Sequence, residues 1–309
     1  MKTQTPPMPT SSHQSDTTPE PDAISPASGS SHAHAGSDTV STASGPEPGV
    51  QTDRPATPAA DIWDEDRLAN PHAASDKATR VHAMFDAIAG SYDLNNRVHS
   101  LGQDQAWRRK AVRLAQVRPG EDDVVDVACG TGDLTLAFAR AQPRSVLGID
   151  FVPRMIEIAR DKVAEKTPAG TDSAERPSSS RRMTSPTYRV GDAMDLDLPD
   201  QCADVVSIAF GIRNVADPDK AIGEFHRILR PGGRLLILEF SLPRNPVLRR
   251  LYEFYFNHIM PRTATIVSGD RTGAYRYLPR SVSTFLDRDA LTGAMKQAGF
   301  EDVAVHPLT

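Results

Sequence analysis

A chain of 309 residues with a net charge of −5 can bury one large core or two small ones. The acidic balance leaves no basic footprint, so nucleic acid is not an expected partner. Two cysteines, Cys129 and Cys202, make no disulfide framework and suit a reducing cytosol, and no apolar run approaches the roughly 20 residues that span a bilayer.

The N-terminus carries Lys2 but no apolar stretch, so it does not read as a secretory signal; acidic and almost free of Arg, it does not read as a transit peptide either. Residues 1 to about 60 are mainly Pro, Ser, Thr, Ala and Gly. Such a segment buries too little apolar surface to offset its ordering entropy. We therefore expect a disordered tail over 1–75 and a folded domain over 76–309. His13, His32 and His34 fall in the tail and read as solvated residues, so no metal site is expected. The stretch 167–187, TPAGTDSAERPSSSRRMTSPT, reads as a disordered surface insertion in the folded part.

After the tail, Val81, Met84, Phe85, Ile88 and Tyr92 follow helical spacing, as do Trp107, Ala111, Leu114 and Ala115. Strand and helix signals then alternate. VVDVA (124–128) reads as a buried strand, followed by a helix with Leu134, Ala137, Phe138 and Ala141. SVLGID (145–150) is the next strand, and Met155, Ile158, Ala159 and Val163 mark the next helix. TYRVGD (187–192) and DVVSIAF (204–210) are strand-like. Ala221, Ile222, Phe225, Ile228 and Leu229 form a helix stopped by Pro231-Gly232-Gly233, before the strand RLLILEF (234–240). This alternation predicts an α/β doubly wound fold with a mainly parallel sheet covered on both faces. Its ligands belong outside the carboxyl ends of the strands.

The turn after the first strand reads ACGTGD. Gly130 and Gly132 let the backbone approach a ligand closely, and the following helix offers free N–H groups. A dinucleotide fingerprint would place a third glycine where Thr135 stands, and a phosphate loop would need Gly-Lys-Ser/Thr. Asp126, inside the strand before the glycines, suits a ligand with a positive group. Asp150 ends the second strand, where a carboxylate can accept both hydroxyls of a ribose, from NAD or S-adenosylmethionine alike. Asp192 ends the third, where it can accept an adenine amino hydrogen while Ala193 packs beside the ring. Each aspartate alone also fits a turn or cap; their succession at strand ends favours a ligand.

These features resemble a class I S-adenosylmethionine-dependent methyltransferase of Rossmann-like fold. The blocks MFDAIAGSYDLNNRVHSLGQDQAWRRKAV (84–112), SIAFGIRNVAD (207–217), LEFSLPRNP (238–246) and AYRYLPRSV (274–282), with the aromatic helix ending MPR (260–262), narrow it further. They resemble the ubiquinone/menaquinone biosynthesis C-methyltransferases over roughly 77–309. The resemblance implies that Thr131, Asp150, Asp192 and Ala193 contact S-adenosylmethionine, that Gly130 and Gly132 shape the turn, and that Ala209 adds a backbone or packing contact. It implies N-terminal helices over the active site. It also implies a polyprenyl quinol substrate; with the cysteine usage and the aromatic segment 247–260, we expect a cytoplasmic location with peripheral contact at the inner face of the membrane. Cys129 reads as a packing residue rather than a nucleophile.

Methylating a ring carbon needs alignment, exclusion of water and stabilisation of a developing oxyanion. Arg213 and Asn214 are the candidates for holding the quinol oxygens. Tyr92, Asp93, His99, Tyr275 and Tyr277 are placed on the other side, with His99 or a tyrosine as proton acceptor. Each has a structural alternative: Tyr92 as core, Arg213 as an ion-pair partner. Leu248, Leu251, Tyr252, Tyr255, Phe256 and Ile259 are expected on one helical face, as core or as a wall for a polyprenyl tail. Leu291, Ala294, Met295 and Ala298 predict a last helix, Gly299-Phe300 a turn, and VAVHPL (303–308) a strand. The final antiparallel strand of the family fold is expected to be missing, leaving an unfilled slot in the sheet.

Overall fold

The computed structural model describes residues 62–308 except 64, 74, 167–182, 244 and 264–271. Five strands, β1 (Asp123–Val127), β2 (Ser145–Asp150), β3 (Thr187–Val190), β4 (Ala203–Ala209) and β5 (Leu229–Leu238), form one sheet. They are all parallel, in the order β3-β2-β1-β4-β5. The crossovers include α5 (Asp133–Ala139), α6 (Pro153–Lys166) and α7 (Pro218–Ile228). Successive residues of a strand face opposite sides, and both sides are apolar. Val125, Val127 and Ile208 pack with Ile222 and Phe225 of α7, while Val124, Val146 and Val205 pack with Phe138 of α5 and Ala115 of α4 (Gln103–Ala115).

The order reverses between β1 and β4, which opens a crevice at their carboxyl ends. Register brings the strand ends level there. Val127 lies opposite both Ile149 and Ile208, and Asp150 lies opposite Val190. Ahead of the sheet come α1 (Glu65–Ala69), α2 (Lys77–Ile88) and α3 (Tyr92–His99), and after it α8 (Pro246–Phe254), α9 (Ala274–Thr284) and α10 (Arg288–Gln297).

Four expectations change. The domain begins earlier than residue 76: Trp63 is fully buried, stacks on Tyr277 at 4.3 Å and donates to the Met84 sulfur. One large indole outweighs the polar residues around it, which a composition average hides; residues 1–61 lie outside the described residues. The insertion is shorter at its end, because Met183 packs on the core, Thr184 donates to the Pro143 carbonyl at 2.7 Å and β3 starts at Thr187; 167–182 lie outside the described residues. Pro231-Gly232-Gly233 does not separate helix from strand. Pairing starts with Leu229 opposite Ala203 and resumes with Arg234 opposite Val205, so these residues form an irregularity within β5. Finally, residues 303–308 form no strand. A strand exists through its ladder partner, and β5 pairs only with β4 among the described residues.

The helix over 247–260 is also broken in phase. A π-helical turn at Tyr255–Ile259 rotates the faces before and after it. Leu248 and Leu251 are exposed, whereas Tyr255 and Phe256 pack against the cluster holding Met84 and Met260. The six apolar residues therefore do not share one buried face.

Candidate active site

Two non-glycine residues, Ala128 (φ 50°) and Phe210 (φ 58°), sit in the left-handed region immediately after β1 and β4. Strain of that kind costs on the order of 1 kcal/mol per residue and gathers at functional sites. Here it turns both loops off the sheet and parts them. The cleft between them encloses about 780 Å³ including its open mouth. Asp150, Asp192 and Ala193 line one part of it, and Phe210 and Asn214 another, while Val81 and Phe85 of α2 lie over it. A smaller cavity lies against Asp126, Thr131 and Arg108, with Tyr92, Gly130 and Ala209 common to both.

The glycine turn is held in shape from below. Gly132 has φ 82°, and a Cβ there would stand 2.6 Å from the Tyr188 hydroxyl. Asp150 is buried at the end of β2. Its Oδ2 accepts the Gly130 N–H at 2.7 Å and its Oδ1 the Val152 N–H at 2.9 Å, all from backbone, with acceptor capacity left over for a ligand. Burial pushes its carboxyl above the usual range. Asp192 accepts the Met194 N–H at 2.9 Å in a tight turn, which presents buried Ala193 to the cleft.

Asp126 is 1 % exposed. It takes the Thr135 hydroxyl and the Ser207 hydroxyl, each at 2.6 Å, and burial raises it to about 6. Thr135, the residue that departs from the dinucleotide fingerprint, thus anchors the strand carboxylate. Neither Asp126 nor Asp150 makes an ion pair among the described residues. The Cys129 thiol is pushed well up by burial and packs by Ile156 and Tyr188, so it is no nucleophile.

Several expected catalytic groups are engaged elsewhere. The Asp93 carboxylate does not line the cleft: it accepts the Thr131 hydroxyl at 2.6 Å and pairs with Lys162. Lys162 also donates to Thr131 at 2.9 Å and reaches Asp133 at 3.0 Å. This network clamps α3 and α6 onto the cofactor turn, and Thr131 can offer a ligand its backbone more readily than its hydroxyl. His99 is not among the residues lining the cleft: Nδ1 meets the Asn95 carbonyl at 2.9 Å and Nε2 the Thr263 hydroxyl at 3.1 Å. Tyr275 is buried and stacks against that imidazole.

Tyr92 and Asn214 do reach the cleft. Burial raises Tyr92, which keeps its phenol protonated and a donor. Asn214 Oδ1 accepts from the Tyr277 hydroxyl at 2.9 Å, so Tyr277, itself backed by Trp63, positions it from behind. Arg213 takes the ion-pair alternative: Nη1 donates to Glu239 Oε1 at 2.6 Å and to the Phe210 carbonyl at 2.8 Å. Glu239, Lys162 and Trp63 are the site residues that reading the sequence missed. Only Glu239 carried a signal, as the one acid near the end of a predicted apolar strand.

A parallel sheet of this order, with a two-glycine turn after β1 and carboxylates at the ends of β2 and β3, defines a class I S-adenosylmethionine-dependent methyltransferase. The chain fits that cofactor: Asp150 lines the cleft with acceptor capacity for a ribose hydroxyl, and two buried carboxylates beside it carry no bonded cation among the described residues. Residues 73–309 match the ubiE/COQ5 methyltransferase family, and the chain belongs to it. It is 43% identical over 240 residues to a ubiquinone/menaquinone biosynthesis C-methyltransferase of Geobacter sp. (strain M21), covering 77% of this chain and 95% of the relative. It is 40% identical over 226 residues to a demethylmenaquinone methyltransferase of Deinococcus radiodurans, covering 73% and 86%. Among solved structures, an S-adenosylmethionine-dependent methyltransferase from Thermotoga maritima aligns with TM-score 0.47 at 23% identity, over 71% of this chain and 81% of that one.

Proposed function

We propose that this enzyme C-methylates a polyprenylated quinol ring in menaquinone biosynthesis, demethylmenaquinol to menaquinol, in ubiquinone biosynthesis, or in both. The observation that carries the reading is the position of the 207–217 block. This segment, one of those that narrow the family resemblance, supplies Phe210 and Asn214 to the cleft that Asp150 and Asp192 also line. S-adenosylmethionine, when bound, supplies an electrophilic methyl group on a sulfonium.

The chain's own residues supply the rest. Asp150 accepts hydrogen bonds from the ribose, and Asp126 and Asp150 favour the cation. Tyr92 and the Asn214 amide donate to the quinol oxygens, stabilising negative charge as it develops. Val81, Phe85 and Phe210 exclude water from the ring. Among the described residues no helix is long and apolar enough to cross a membrane. Val247, Leu248, Leu251 and Phe254 are each more than half exposed on α8, beside Arg249 and Arg250. That composition supports peripheral contact with the cytoplasmic face of the membrane, where polyprenyl quinols partition.

The test is incubation of the purified protein with S-adenosylmethionine and a chemically reduced demethylated quinol. The expected result is one added methyl per ring and stoichiometric S-adenosylhomocysteine. Calorimetric titration is expected to give heat with S-adenosylmethionine and none with NAD. Absence of the methylated quinol, with cofactor binding intact, would refute the substrate assignment.

A further inference from the structure

The cofactor part of the cleft has buried acids without a cation, and its other wall is backed by a buried cation without an acid. Lys77 opens α2 and is 3 % exposed. Its Nζ donates to the Val215 carbonyl, and no carboxylate pairs with it among the described residues. An ammonium carries three donors, and a buried charge without an opposite partner is costly. Its place adds to that cost. The first turn of a helix disfavours a cation, and the first turn of α2 carries no acid.

The neighbouring groups leave that charge uncompensated. Asp76 is exposed, does not cap α2 and bonds Arg80 instead. Arg213 is itself positive, and Glu239 matches its charge at 2.6 Å. Burial holds His72 below its usual value, with Lys77 and Arg213 lowering it further, and its Nε2 meets the Ser281 carbonyl at 2.9 Å. Burial keeps the Tyr277 phenol protonated, and it donates to Asn214. Burial and the Arg213 charge bring Lys77 down to about 8, so the ammonium persists at neutral pH. It is also next to the cleft. Its acceptor Val215 lines the cleft, with Asn214 and Ala216 beside it and Ala78 and Val81 of α2 across from them in the chain. Val215 ends the single 3-10 turn Ile212–Asn214, so one ammonium ties α2 to the turn that presents Asn214.

We infer that Lys77 is a positioning residue for the reacting quinol: its unpaired ammonium holds the Asn214 turn against α2 and lends positive charge, through the cleft wall, to the anion that the ring becomes. This rests on the quinol reading above. In the step, the phenolic O–H proton leaves to water and its electron pair stays on oxygen, pushing charge to the ring carbon. That carbon's electron pair forms the new C–CH3 bond as the methyl–sulfur bond breaks with its pair remaining on sulfur. The ring C–H proton then leaves to water and the oxygen regains a proton, so one proton is released per turnover. A fixed charge favours the ionised phenol without touching it, because a wall free of water screens it poorly.

The test compares wild type, Lys77→Met and Lys77→Arg with a reduced demethylated quinol bearing a ring halogen, whose phenolate absorbs at longer wavelength than its phenol. Titrated by absorbance in the complex with S-adenosylhomocysteine, the bound phenol is expected to ionise about one pH unit lower in wild type than in Lys77→Met. Lys77→Arg, which keeps the charge, should stay near wild type. In turnover at pH 7, Lys77→Met should lower kcat about tenfold with the S-adenosylmethionine Kd within about twofold of wild type. The wild-type decline in kcat above about pH 8, where the ammonium loses its proton, should be absent from Lys77→Met. Its Tm should stay level or rise, since an apolar side chain of similar length replaces an unpaired buried charge. Lys77→Gln keeps a donor for the Val215 carbonyl without the charge, and serves if Lys77→Met does not fold. A bound phenol that ionises at the same pH in wild type and in the uncharged variants would overturn the role of Lys77. So would a loss of kcat accompanied by a fallen Tm and an unchanged pH profile. A wild type that binds S-adenosylhomocysteine but neither binds nor methylates the quinol would instead refute the quinol reading itself.

Discussion

The two ends of the sheet use the same residue type for opposite purposes. At the amino end, Asp122, Asp123 and Asp204 meet a row of guanidiniums. Asp122 pairs with Arg118 and Arg234, Asp123 with Arg144 and Arg230, and Asp204 with Arg230. Burial works to raise Asp122, but the Arg118 and Arg234 bonds bring it below the ordinary carboxylate range; Arg144 above all holds Asp123 down. At the carboxyl end, Asp126 and Asp150 are bonded only by hydroxyls and backbone N–H groups, and burial raises both. One end spends its acids on internal cations and is thereby stable. The other withholds them, so a cationic ligand finds charge without a bound competitor.

The sharpest way to break this contrast is one substitution at each end. Asp150→Asn should weaken S-adenosylmethionine binding about 100-fold by calorimetry, since hydrogen bonds to a charged group contribute about 1.5–3 kcal/mol each. Its Tm should stay level or rise, because a costly buried charge is gone. Gly132→Ala tests the turn between the ends. Its φ of 82° and the Tyr188 hydroxyl 2.6 Å from the new Cβ should together cost about 2 kcal/mol in urea unfolding. Tyr188→Phe should recover part of that loss.

Arg234→Met at the amino end is the mirror of Asp150→Asn. It leaves buried Asp122 with Arg118 alone, and stability should fall by about 1–2 kcal/mol while cofactor affinity stays the same. The smallest effect expected is a pH dependence. Carboxylates with raised folded values bind protons before the unfolded chain does. Cofactor-free protein should therefore gain stability as the pH falls from about 6 toward 4 at Asp126. A cation needs those groups ionised, so S-adenosylmethionine affinity should fall about tenfold between pH 7 and 5. Asp126→Asn should flatten both trends, and an affinity that rises on acidification would contradict the assignment.

Legibility in the sequence follows the same division. Strand ends are local: an apolar run, a small-residue turn and a following acid place Asp150, Asp192 and Gly130 at one edge, because parallel register does the rest. Side chains that meet across long separations are not local. Asp93 and His99 sit in family-specific blocks, yet Lys162 and Thr263 claim them. Arg213 follows β4 as expected, but its partner is 26 residues away. Trp63 reads as tail until Tyr277 is brought against it.

The doubly wound order of elements, the glycine turn and the acids at the strand ends are all legible in local sequence. Each depends on periodicity, turn chemistry or position along one strand. Which polar groups face the cleft and which are consumed in clamps emerges only once the fold is packed. The reason is physical: a side chain's partner is chosen by burial and geometry across the whole chain, and neither is written in its neighbours.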